Sequence, residues 1–531
     1  MTVDDRSAGD ATAPIGRKPN VLFVICDQLR ADHLGYAGNP VVQTPNIDAL
    51  AAAGTVFDRA YVNNPVCMPN RATMMTGRMP SAHGVIFNDR SLEPSETTFV
   101  AQLRDAGWRT ALIGKSHLQH GESRNAVSDL GKVPGRMSPF EPGWDTIEHD
   151  ERYERGEVVA PDDFYGFGEI HLTLGHGAQV GAHHYQWARE QGIAHDVLRA
   201  GIDANSPIPT RRPEWWQLHP APYPEEIHST NYVTERTIDF IERAAADDEP
   251  WMAWCSYPDP HHPMAPPEPW FARHDPDDMV LPSTFDDPGE GWAPHLDLIR
   301  SLDPGRRAWV SPFGPTPELT RAAIAVTYGM IEYIDAGVGR IMASLDRLGA
   351  TDDTIVVFTS DHGDMMGDHG LMLKLIMHFQ GCLRVPLIIK APGGTAARTS
   401  SLAASIDLPH TVLDLCGIAD YQGMQGVSLV PLVDDPKATV RDAVLVEDDF
   451  PTAEVGAPFP LKTRSTVTAT HRYTRDSNGF EMLYDLEHDP DELTNLAEGD
   501  RDPRARAAAL DTMLDQMLRA DDITRMEPVA R

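Results

Sequence analysis

Apolar runs that end at polar residues recur along the chain. Four segments that contain such runs are long enough to be buried strands, at 20–26, 108–113, 251–256 and 354–359. Continuous runs of this kind are typical of parallel strands that are covered on both faces. Amphipathic stretches lie between these runs and predict helices at 97–106, 231–245 and 317–348. The alternation predicts an α/β fold with a large mixed, mainly parallel sheet flanked by helices.

The end of the chain has a different pattern. Apolar and polar residues alternate at 443–447 and 465–473, which predicts antiparallel strands. Residues 504–519 have the pattern of a helix. We therefore predict that 436–531 forms a smaller α+β subdomain beside a main domain at 20–435.

Residues 122–228 interrupt the regular pattern of the main domain. They contain many Gly, Pro, His and Trp residues and little periodicity. Such a segment inside a compact protein is typical of the variable walls of a binding site. Its histidines match no recognisable spacing of metal ligands, so we interpret them as ordinary surface or pocket-rim residues: His171, His176, His183 and His184.

Charge and cysteine content exclude several classes of partner. The formal net charge is -34, which argues against nucleic acid or an anionic membrane as a partner. No apolar run reaches the roughly 18 residues of a membrane span. The five scattered cysteines indicate neither a disulfide framework nor a paired-cysteine zinc site, which favours a reducing compartment. No feature of the sequence indicates an oligomeric state.

The N-terminal residues 1–19 are predicted to be a disordered lead. They are polar, and they carry Asp4, Asp5 and Asp10 where a signal peptide would need an apolar core. We therefore expect a cytoplasmic protein.

One cysteine stands in a local sequence unlike that of the other four. Cys67 is followed by Pro69, which suits the first turn of a helix because its missing N–H costs nothing there. The predicted helix ends at Gly77. Free N–H groups at a helix start favour an anion, and Arg71, one turn on, points toward the same place. The plain alternative is a buried cysteine near a turn.

Residues capable of chemistry follow the predicted strands. In open α/β sheets, ligands bind at the carboxyl ends of the strands. The polar groups found there are Asp27-Gln28, Lys115-Ser116-His117, His261-His262 and Asp361-His362. Each could be a turn or cap residue by itself. Together they predict one site at that edge of the sheet.

These residues also match a known family. Cys67-Met68-Pro69-Asn70-Arg71 has the C-x-P-x-R motif of the type I sulfatases, which are members of the alkaline phosphatase superfamily. The resemblance runs from about residue 20 to residue 497, and 122–228 contributes least to it. It implies an alkaline phosphatase-like fold. It also implies that a formylglycine-generating enzyme oxidises Cys67 to Cα-formylglycine, whose hydrated aldehyde is the nucleophile.

The resemblance further implies a metal site. Its ligands would be Asp27, Gln28, Asp361, His362 and the modified residue 67. This oxygen-dominated set favours a hard divalent cation, so we expect calcium, with manganese or magnesium as lesser possibilities. Many sulfatases carry Asp where this chain has Gln28, and the glutamine removes one negative charge from the site.

Two further matches concern the sulfate group. Gly114-Lys115-Ser116-His117 resembles the family's G-K-x-H element, in which Lys115 binds sulfate and His117 contacts the formylglycine hydroxyls. Lys374 corresponds to a further sulfate-contacting lysine. Asn88 resembles a polar, substrate-binding position, although an Asn-Asp turn explains it equally well.

Pro260-His261-His262-Pro263 resembles the family's P-H-x-P element and gives the catalytic and substrate-binding role to His261 rather than His262. The implied reaction hydrolyses a small-molecule sulfate monoester in two stages. Residue 67 attacks sulfur while His261 or Lys374 protonates the departing alcohol, and His117 then helps to release sulfate. Arg71 and the lysines stabilise the charge on the sulfate oxygens.

Two alternatives remain open on the sequence. The first is a phosphonate monoester or phosphodiester hydrolase of the same superfamily, although those relatives usually have uncharged hydroxyl residues in place of Lys115 and His117. The second is a non-catalytic sulfate-ester binding protein in which Cys67 stays unmodified. Aryl, carbohydrate and alkyl sulfates are equally open as substrates.

Overall fold

The fold is built on a sheet of eight strands whose central members are completely buried. The computed structural model describes residues 17–121, 140–200, 208–303, 312–450 and 461–520. The strands of this sheet are β1 Asn20–Cys26, β2 Thr55–Tyr61, β3 Arg109–Gly114, β4 Glu169–Leu172, β5 Trp251–Tyr257, β6 Thr354–Ser360, β7 Leu387–Lys390 and β8 Ala397–Ala404. Their spatial order is β4-β3-β5-β1-β6-β7-β2-β8.

The sheet is mainly parallel. The five strands from β4 to β6 in the spatial order all run in the same direction. Strand β7 is antiparallel to both of its neighbours, and β8 is parallel to β2. The prediction of a large mixed, mainly parallel sheet is therefore confirmed, and so are the four strands predicted from their apolar runs.

Alternate residues of the central strands serve two separate cores. In β1, Val21, Phe23 and Ile25 pack on one face of the sheet. Leu22 and Val24 pack on the other face. This division follows from the two-residue period of a strand, and it explains why the whole run has to be apolar.

Helices cover both faces, as predicted. They are α1 Pro45–Ala53, α2 Cys67–Thr76, α3 Pro80–His83, α4 Phe99–Asp105, α5 Asp150–Glu154, α6 Ala182–Glu190, α7 His195–Leu198, α8 Ser229–Ala246, α9 Pro294–Arg300, α10 Pro317–Arg347, α11 Gln380–Leu383, α12 Asp407–Leu415, α13 Val430–Asp434 and α14 Pro503–Ala520. Helices α8 and α10 contribute to the core on one face. Helices α2, α4 and α12 contribute to the core on the other face.

A second sheet of four antiparallel strands follows the first. Its strands are β9 Ala443–Phe450, β10 Leu461–Thr468, β11 His471–Asp476 and β12 Glu481–Asp485. The prediction of antiparallel strands in this region is confirmed, but 465–473 covers the end of β10 and the start of β11, because residues 469–470 form a bend that joins the two strands. Polar and apolar residues keep alternating through that bend, so the pattern does not reveal it. The domain boundary at residue 435 stays a prediction.

The variable segment is more regular than its sequence indicates. It contains β4 and the helices α5, α6 and α7. Residues 122–139 and 201–207 of the segment, and 1–16 of the predicted N-terminal lead, lie outside the described residues. In the part of the chain that is described, no helix has the length and apolar character needed to cross a bilayer.

Candidate active site

The candidate site lies where five neighbouring parallel strands of the large sheet end. The carboxyl ends of β4, β3, β5, β1 and β6 meet at one edge of the sheet. Open α/β sheets bind their ligands at this edge. A polar side chain follows each strand, in the same spatial order: His176, Lys115, His261, Asp27 and Asp361.

Cys67 is the first residue of α2, and it is only 1% exposed. The helix ends at Gly77, which has the left-handed φ of 63°. The backbone N–H of Met68 donates to Oδ1 of Asn88 at 3.1 Å. Asn88 therefore satisfies one of the free donors at the helix start. The predicted helix is confirmed, and the substrate-binding role of Asn88 stays a prediction.

The proposed metal ligands converge around the sulfur of Cys67. The ligand atoms of Asp27, Cys67, Asp361 and His362 all lie within 4.8 Å of one another. The Cys67 sulfur is 3.1 Å from Nε2 of His362 and 3.7 Å from Oδ1 of Asp27. Nε2 of His362 is 3.6 Å from Oδ1 of Asp361. All four side chains are buried, and buried carboxylates this close together need a cation beside them.

Gln28, the residue after Asp27, carries a buried neutral oxygen. Its backbone has the left-handed φ of 68°, and its N–H donates to Oδ1 of Asp361 at 3.1 Å. The side-chain Nε2 donates to Asp364. Oε1 of Gln28 is buried and accepts no hydrogen bond from any described residue. A buried amide oxygen without a donor suits a hard cation, so the donor set fits a divalent metal.

Arg71 is fully buried and is fixed by several acceptors. Its Nε donates to Oδ2 of Asp361 at 2.7 Å. Its Nη1 donates to Oγ of Ser256 at 2.9 Å and to the carbonyl oxygen of Lys115 at 3.1 Å. Nη2 lies 3.8 Å from Oδ2 of Asp27 and donates no hydrogen bond within the described residues. The guanidinium group is thus held in place and keeps donor capacity for an anion.

Two lysine ammonium groups share this buried space. Nζ of Lys115 contacts Oδ2 of Asp27 and lies 2.7 Å from Nε2 of His176. Nζ of Lys374 lies 3.1 Å from the Cys67 sulfur and 2.9 Å from Nε2 of His362. The two lysines, which are 259 positions apart in the sequence, therefore flank the candidate nucleophile from different elements.

These cations change the protonation of their neighbours. Burial and Asp27 both tend to raise the pKa of the Cys67 thiol, but Lys115, Lys374 and His362 outweigh them and lower it. Burial also tends to raise the pKa of Asp27, while the charge of Lys115 in particular, together with that of Lys374, holds it well below its usual range. The site therefore favours anions at both positions.

Three histidine rings form a stack beside the lysines. The rings of His176 and His261 lie 3.7 Å apart with an interplanar angle of 18°, and those of His261 and His262 lie 4.0 Å apart. His261, His176 and Asp27 bring their ligand atoms within 4.8 Å of one another. Nδ1 of His262 lies 3.3 Å from Nε2 of Gln28. Of the two predicted alternatives, His261 is thus the one grouped with Asp27 and the lysine side.

His117 lies on the same side but is not bonded to Cys67. Its backbone N–H donates to Oε2 of Glu148 at 2.9 Å. Burial, followed by the charges of Lys115 and His176, lowers the pKa of His117 well below its usual range. Nδ1 of the ring is buried without a hydrogen-bond partner among the described residues. Its role toward residue 67 stays a prediction.

The interpretation of the four histidines in the variable segment needs correction. His176 lies at the rim, but it also contacts Lys115 and stacks on His261. His184 is completely buried, with Nδ1 3.0 Å from Oγ1 of Thr173 and Nε2 2.6 Å from the carbonyl oxygen of Ile227. His184 is therefore a core residue. His176 follows β4, a strand of only four residues, which is too short to be recognised from the sequence.

Two more residues of the site have a positioning role that the sequence does not predict. Asn70, inside the C-x-P-x-R motif, donates to the backbone carbonyl of Asp361 at 2.6 Å. Asp364 accepts from Gln28 and from the backbone N–H of Leu373 at 3.1 Å. Both hold the backbone that carries the proposed metal ligands. A polar residue in the turn after Asp361-His362 gives no separate signal of this role in the sequence.

Comparisons with known proteins agree with this geometry. A family model described as "Sulfatase" matches residues 19–418, and one described as "N-sulphoglucosamine sulphohydrolase, C-terminal" matches 367–520. An arylsulfatase of Clostridium perfringens is 29% identical over 495 residues, with 90% of each chain covered. A choline-sulfatase of Rhizobium meliloti is 28% identical over 505 residues, covering 92% of this chain and 84% of the relative.

One solved structure with the same fold is named for an activity other than sulfate ester hydrolysis. The phosphonate monoester hydrolase of Agrobacterium radiobacter is 26% identical and superposes with a TM-score of 0.74, covering 97% of this chain and 99% of that one. The sulfatase family match nevertheless spans well over half of the chain. The chain therefore belongs to the type I sulfatase family of the alkaline phosphatase superfamily and is a sulfuric ester hydrolase.

Proposed function

We propose that the protein hydrolyses small-molecule sulfate monoesters with residue 67 as the nucleophile, after a formylglycine-generating enzyme has converted Cys67 to Cα-formylglycine. One observation carries this proposal: the Cys67 sulfur lies 3.1 Å from Nζ of Lys374 and 3.1 Å from Nε2 of His362, at the start of a helix. An atom at this position faces the ammonium group of Lys374 and lies at the positive end of the helix dipole. That environment favours attack on an anionic ester.

A divalent metal is part of the proposal. Asp27, Gln28, Asp361, His362 and residue 67 would hold it, and the unpartnered Oε1 of Gln28 supports this donor set. Oxygen ligands dominate, so we propose calcium, with manganese and magnesium as alternatives. When bound, the metal acidifies a hydroxyl group of the nucleophile and neutralises charge on the ester oxygens.

The remaining cations of the site would bind the sulfate group. Lys115 and Lys374 are nearly fully buried, and Arg71 is fixed by Asp361 and Ser256. Donors that are already in place do not have to reorganise when charge develops on the sulfate oxygens, and this makes them effective in catalysis.

Proton transfer can be divided between Lys374 and His117. Burial, the adjacent ring of His176 and the charge of Lys374 hold the pKa of His261 well below its usual range, so its ring is neutral near pH 7. The ammonium group of Lys374 is then the better proton donor to the departing alcohol. A neutral His117, whose pKa is lowered in the same way, is suited to accept the proton whose loss releases sulfate.

We also propose that the protein acts in the cytoplasm. The cysteines of the described residues are all free, which is compatible with a reducing compartment.

A phosphonate monoester or phosphodiester hydrolase is the second candidate, favoured by the structural likeness to the Agrobacterium radiobacter enzyme. The ammonium group of Lys115 argues for sulfate, because it lies in the buried site beside Asp27 and His176 where the second candidate is expected to carry an uncharged hydroxyl residue. A binding protein with intact Cys67 is the remaining alternative.

A comparison of two substrates tests the proposal. The values of kcat/KM would be measured for para-nitrophenyl sulfate and for a para-nitrophenyl phosphonate monoester, with the Cys67→Ala variant as the control. We expect a clear preference for the sulfate and loss of turnover in the variant. A preference for the phosphonate would establish the second candidate. Substrate binding without turnover, in wild type and variant alike, would establish the binding protein.

A further inference from the structure

We infer that His176, which the variable segment contributes, is a positioning residue for Lys115. This inference rests on the proposed function, because it concerns the way in which Lys115 is presented to a sulfate group. Nε2 of His176 lies 2.7 Å from Nζ of Lys115 and 3.4 Å from Oδ2 of Asp27. The side chain of His176 is 17% exposed, whereas that of Lys115 is 5% exposed.

The chemistry of the two groups fixes the direction of this hydrogen bond. An ammonium group has three N–H donors and no acceptor. Nε2 of His176 must therefore accept from Lys115. The ammonium is held between the carboxylate of Asp27 on one side and the imidazole of His176 on the other. This leaves one N–H of Lys115 for a ligand oxygen.

Without His176, the ammonium group of Lys115 would lose one of its two hydrogen-bond partners. Its contact with Asp27 would remain, and the ammonium group would be drawn toward a carboxylate that the proposed metal needs. An ammonium group on a flexible four-carbon stem has no fixed orientation of its own. His176 therefore keeps Lys115 available for the sulfate group.

The loop around His176 is held in position by its own contacts. The backbone N–H of His176 donates to Oε1 of Gln179 at 3.1 Å. Gly177 has a φ of 54°, and a Cβ there would overlap the carbonyl oxygen of Pro263. The loop thus packs against the segment that carries His261 and His262. The stacking of His176 on His261 at 3.7 Å completes this contact.

Substitutions at residue 176 can separate the two contacts of the ring. His176→Gln keeps an acceptor for Lys115 and loses the stacking. His176→Phe keeps the stacking and loses the acceptor. We expect His176→Phe to lower kcat/KM for para-nitrophenyl sulfate by about 10- to 100-fold, as for a misplaced catalytic group, and His176→Gln to retain most of the activity. Equal losses in both variants, or none in His176→Phe, would overturn the inference.

A double-mutant cycle tests whether His176 acts through Lys115. If it does, adding His176→Phe to Lys115→Ala should cause no further loss of kcat/KM. Additive losses would contradict the inference. His171→Gln is the matched control, because His171 lies in the same segment but bonds to Glu169 instead. Its activity should equal that of the wild type.

A binding measurement separates this inference from the proposed function. In a Cys67→Ser background, calorimetry would measure the affinity for inorganic sulfate with and without His176→Phe. We expect His176→Phe to weaken sulfate binding by about tenfold, the effect of roughly one hydrogen bond to a charged group. Unchanged affinity would overturn the inference, whereas a wild-type protein that does not hydrolyse sulfate esters would instead overturn the proposed function.

Discussion

At the scale of single residues, Cys67 differs from the three other buried cysteines in its neighbours and not in its burial. Cys26, Cys255 and Cys382 are as deeply buried, and burial raises the pKa of each of their thiols. Cys67 alone among these four has a lowered pKa, because Lys115, Lys374 and His362 surround it. The local sequence predicts the helix start, but these neighbours come from distant parts of the chain.

The assignment of Lys374 as the proton donor makes a prediction about the leaving group. An alkyl alcohol, with a pKa close to that of water at about 15.7, needs protonation more than a nitrophenol does. Lys374→Met should therefore reduce kcat/KM on an alkyl sulfate by about 10²- to 10⁴-fold more than on para-nitrophenyl sulfate, the range typical of general acid catalysis. Parallel steady-state assays on both esters would measure this difference.

His261→Gln provides the comparison for Lys374→Met. A neutral His261 that binds the substrate without donating the proton should affect both esters by a similar factor. If His261→Gln discriminates between the esters and Lys374→Met does not, the roles of the two residues are reversed.

At the scale of elements, the second sheet supports the loop that carries Lys374. Around this lysine, Leu373, Leu375 and Ile376 have φ values of 71°, 83° and 33°. Such conformations are costly for residues other than glycine, and they persist where the surroundings fix them. The backbone N–H of Ile376 donates to Oδ2 of Asp448 on β9 at 3.0 Å. The C-terminal sheet therefore helps to determine where Lys374 points.

Replacing Asp448 should lower the activity of the protein more than its overall stability. Asp448→Ala removes the acceptor for Ile376, so Lys374 should lose its fixed position and kcat/KM should fall by about tenfold, corresponding to about 1.4 kcal/mol. Asp449→Ala is the matched control, because its neighbouring carboxylate bonds to Lys462 and Arg464 instead. Turnover and thermal unfolding of both variants would be compared. Equal turnover in the two variants would contradict the role of Asp448.

The elements that the sequence predicts well are those buried on both faces. Strands β1, β3, β5 and β6 each contain a continuous buried stretch of mainly apolar residues, since helices cover the sheet above and below. Strands β2 and β8, at the far side of the sheet, contain Asp58, Arg59 and Arg398 and were not predicted. These strands pair with strands far away in the sequence, and a local pattern of residues does not predict such pairing.

At the scale of the whole molecule, the two sheets are linked through the site. The family match for the C-terminal part begins at residue 367, before Lys374, and overlaps the match for the sulfatase part. Cys67, Phe450 and Tyr484 are all buried, and the latter two share a hydrophobic core with Val66, the residue before Cys67. Cys67, the proposed nucleophile, therefore lies close to where the two parts of the protein meet.

The proposed metal should stabilise the whole fold. A ligand at about 100 times its Kd adds about 2.7 kcal/mol to the free energy of unfolding. We expect a chelator to lower Tm and Ca²⁺ to restore it, with turnover following the same course. Thermal unfolding with and without chelator would measure this effect.

Two variants test where the metal acts. Asp361→Ala should abolish the response of Tm to Ca²⁺, because it removes a proposed ligand. Asp485→Ala should leave the response intact, because Asp485 belongs to a separate group of possible ligands with Glu487 and His488. A response that disappears in Asp485→Ala but not in Asp361→Ala would place the metal elsewhere.

Most of the site could be predicted from the sequence, because each group follows a recognisable strand or motif. Asp27, Lys115, His261 and Asp361 are examples. His176 and Asp448 could not be predicted, since β4 is a strand of four residues and β9 belongs to the other sheet. Their contributions depend on how distant segments pack, and the sequence shows no local sign of this.

The proposed mechanism depends on residue 67 working as formylglycine and not as cysteine. Mass spectrometry of the peptide that contains residue 67, from active protein purified from its native host, measures its chemical state. We expect loss of the thiol and the appearance of the aldehyde or its hydrate. A fully active preparation in which residue 67 is an unmodified cysteine would contradict this mechanism.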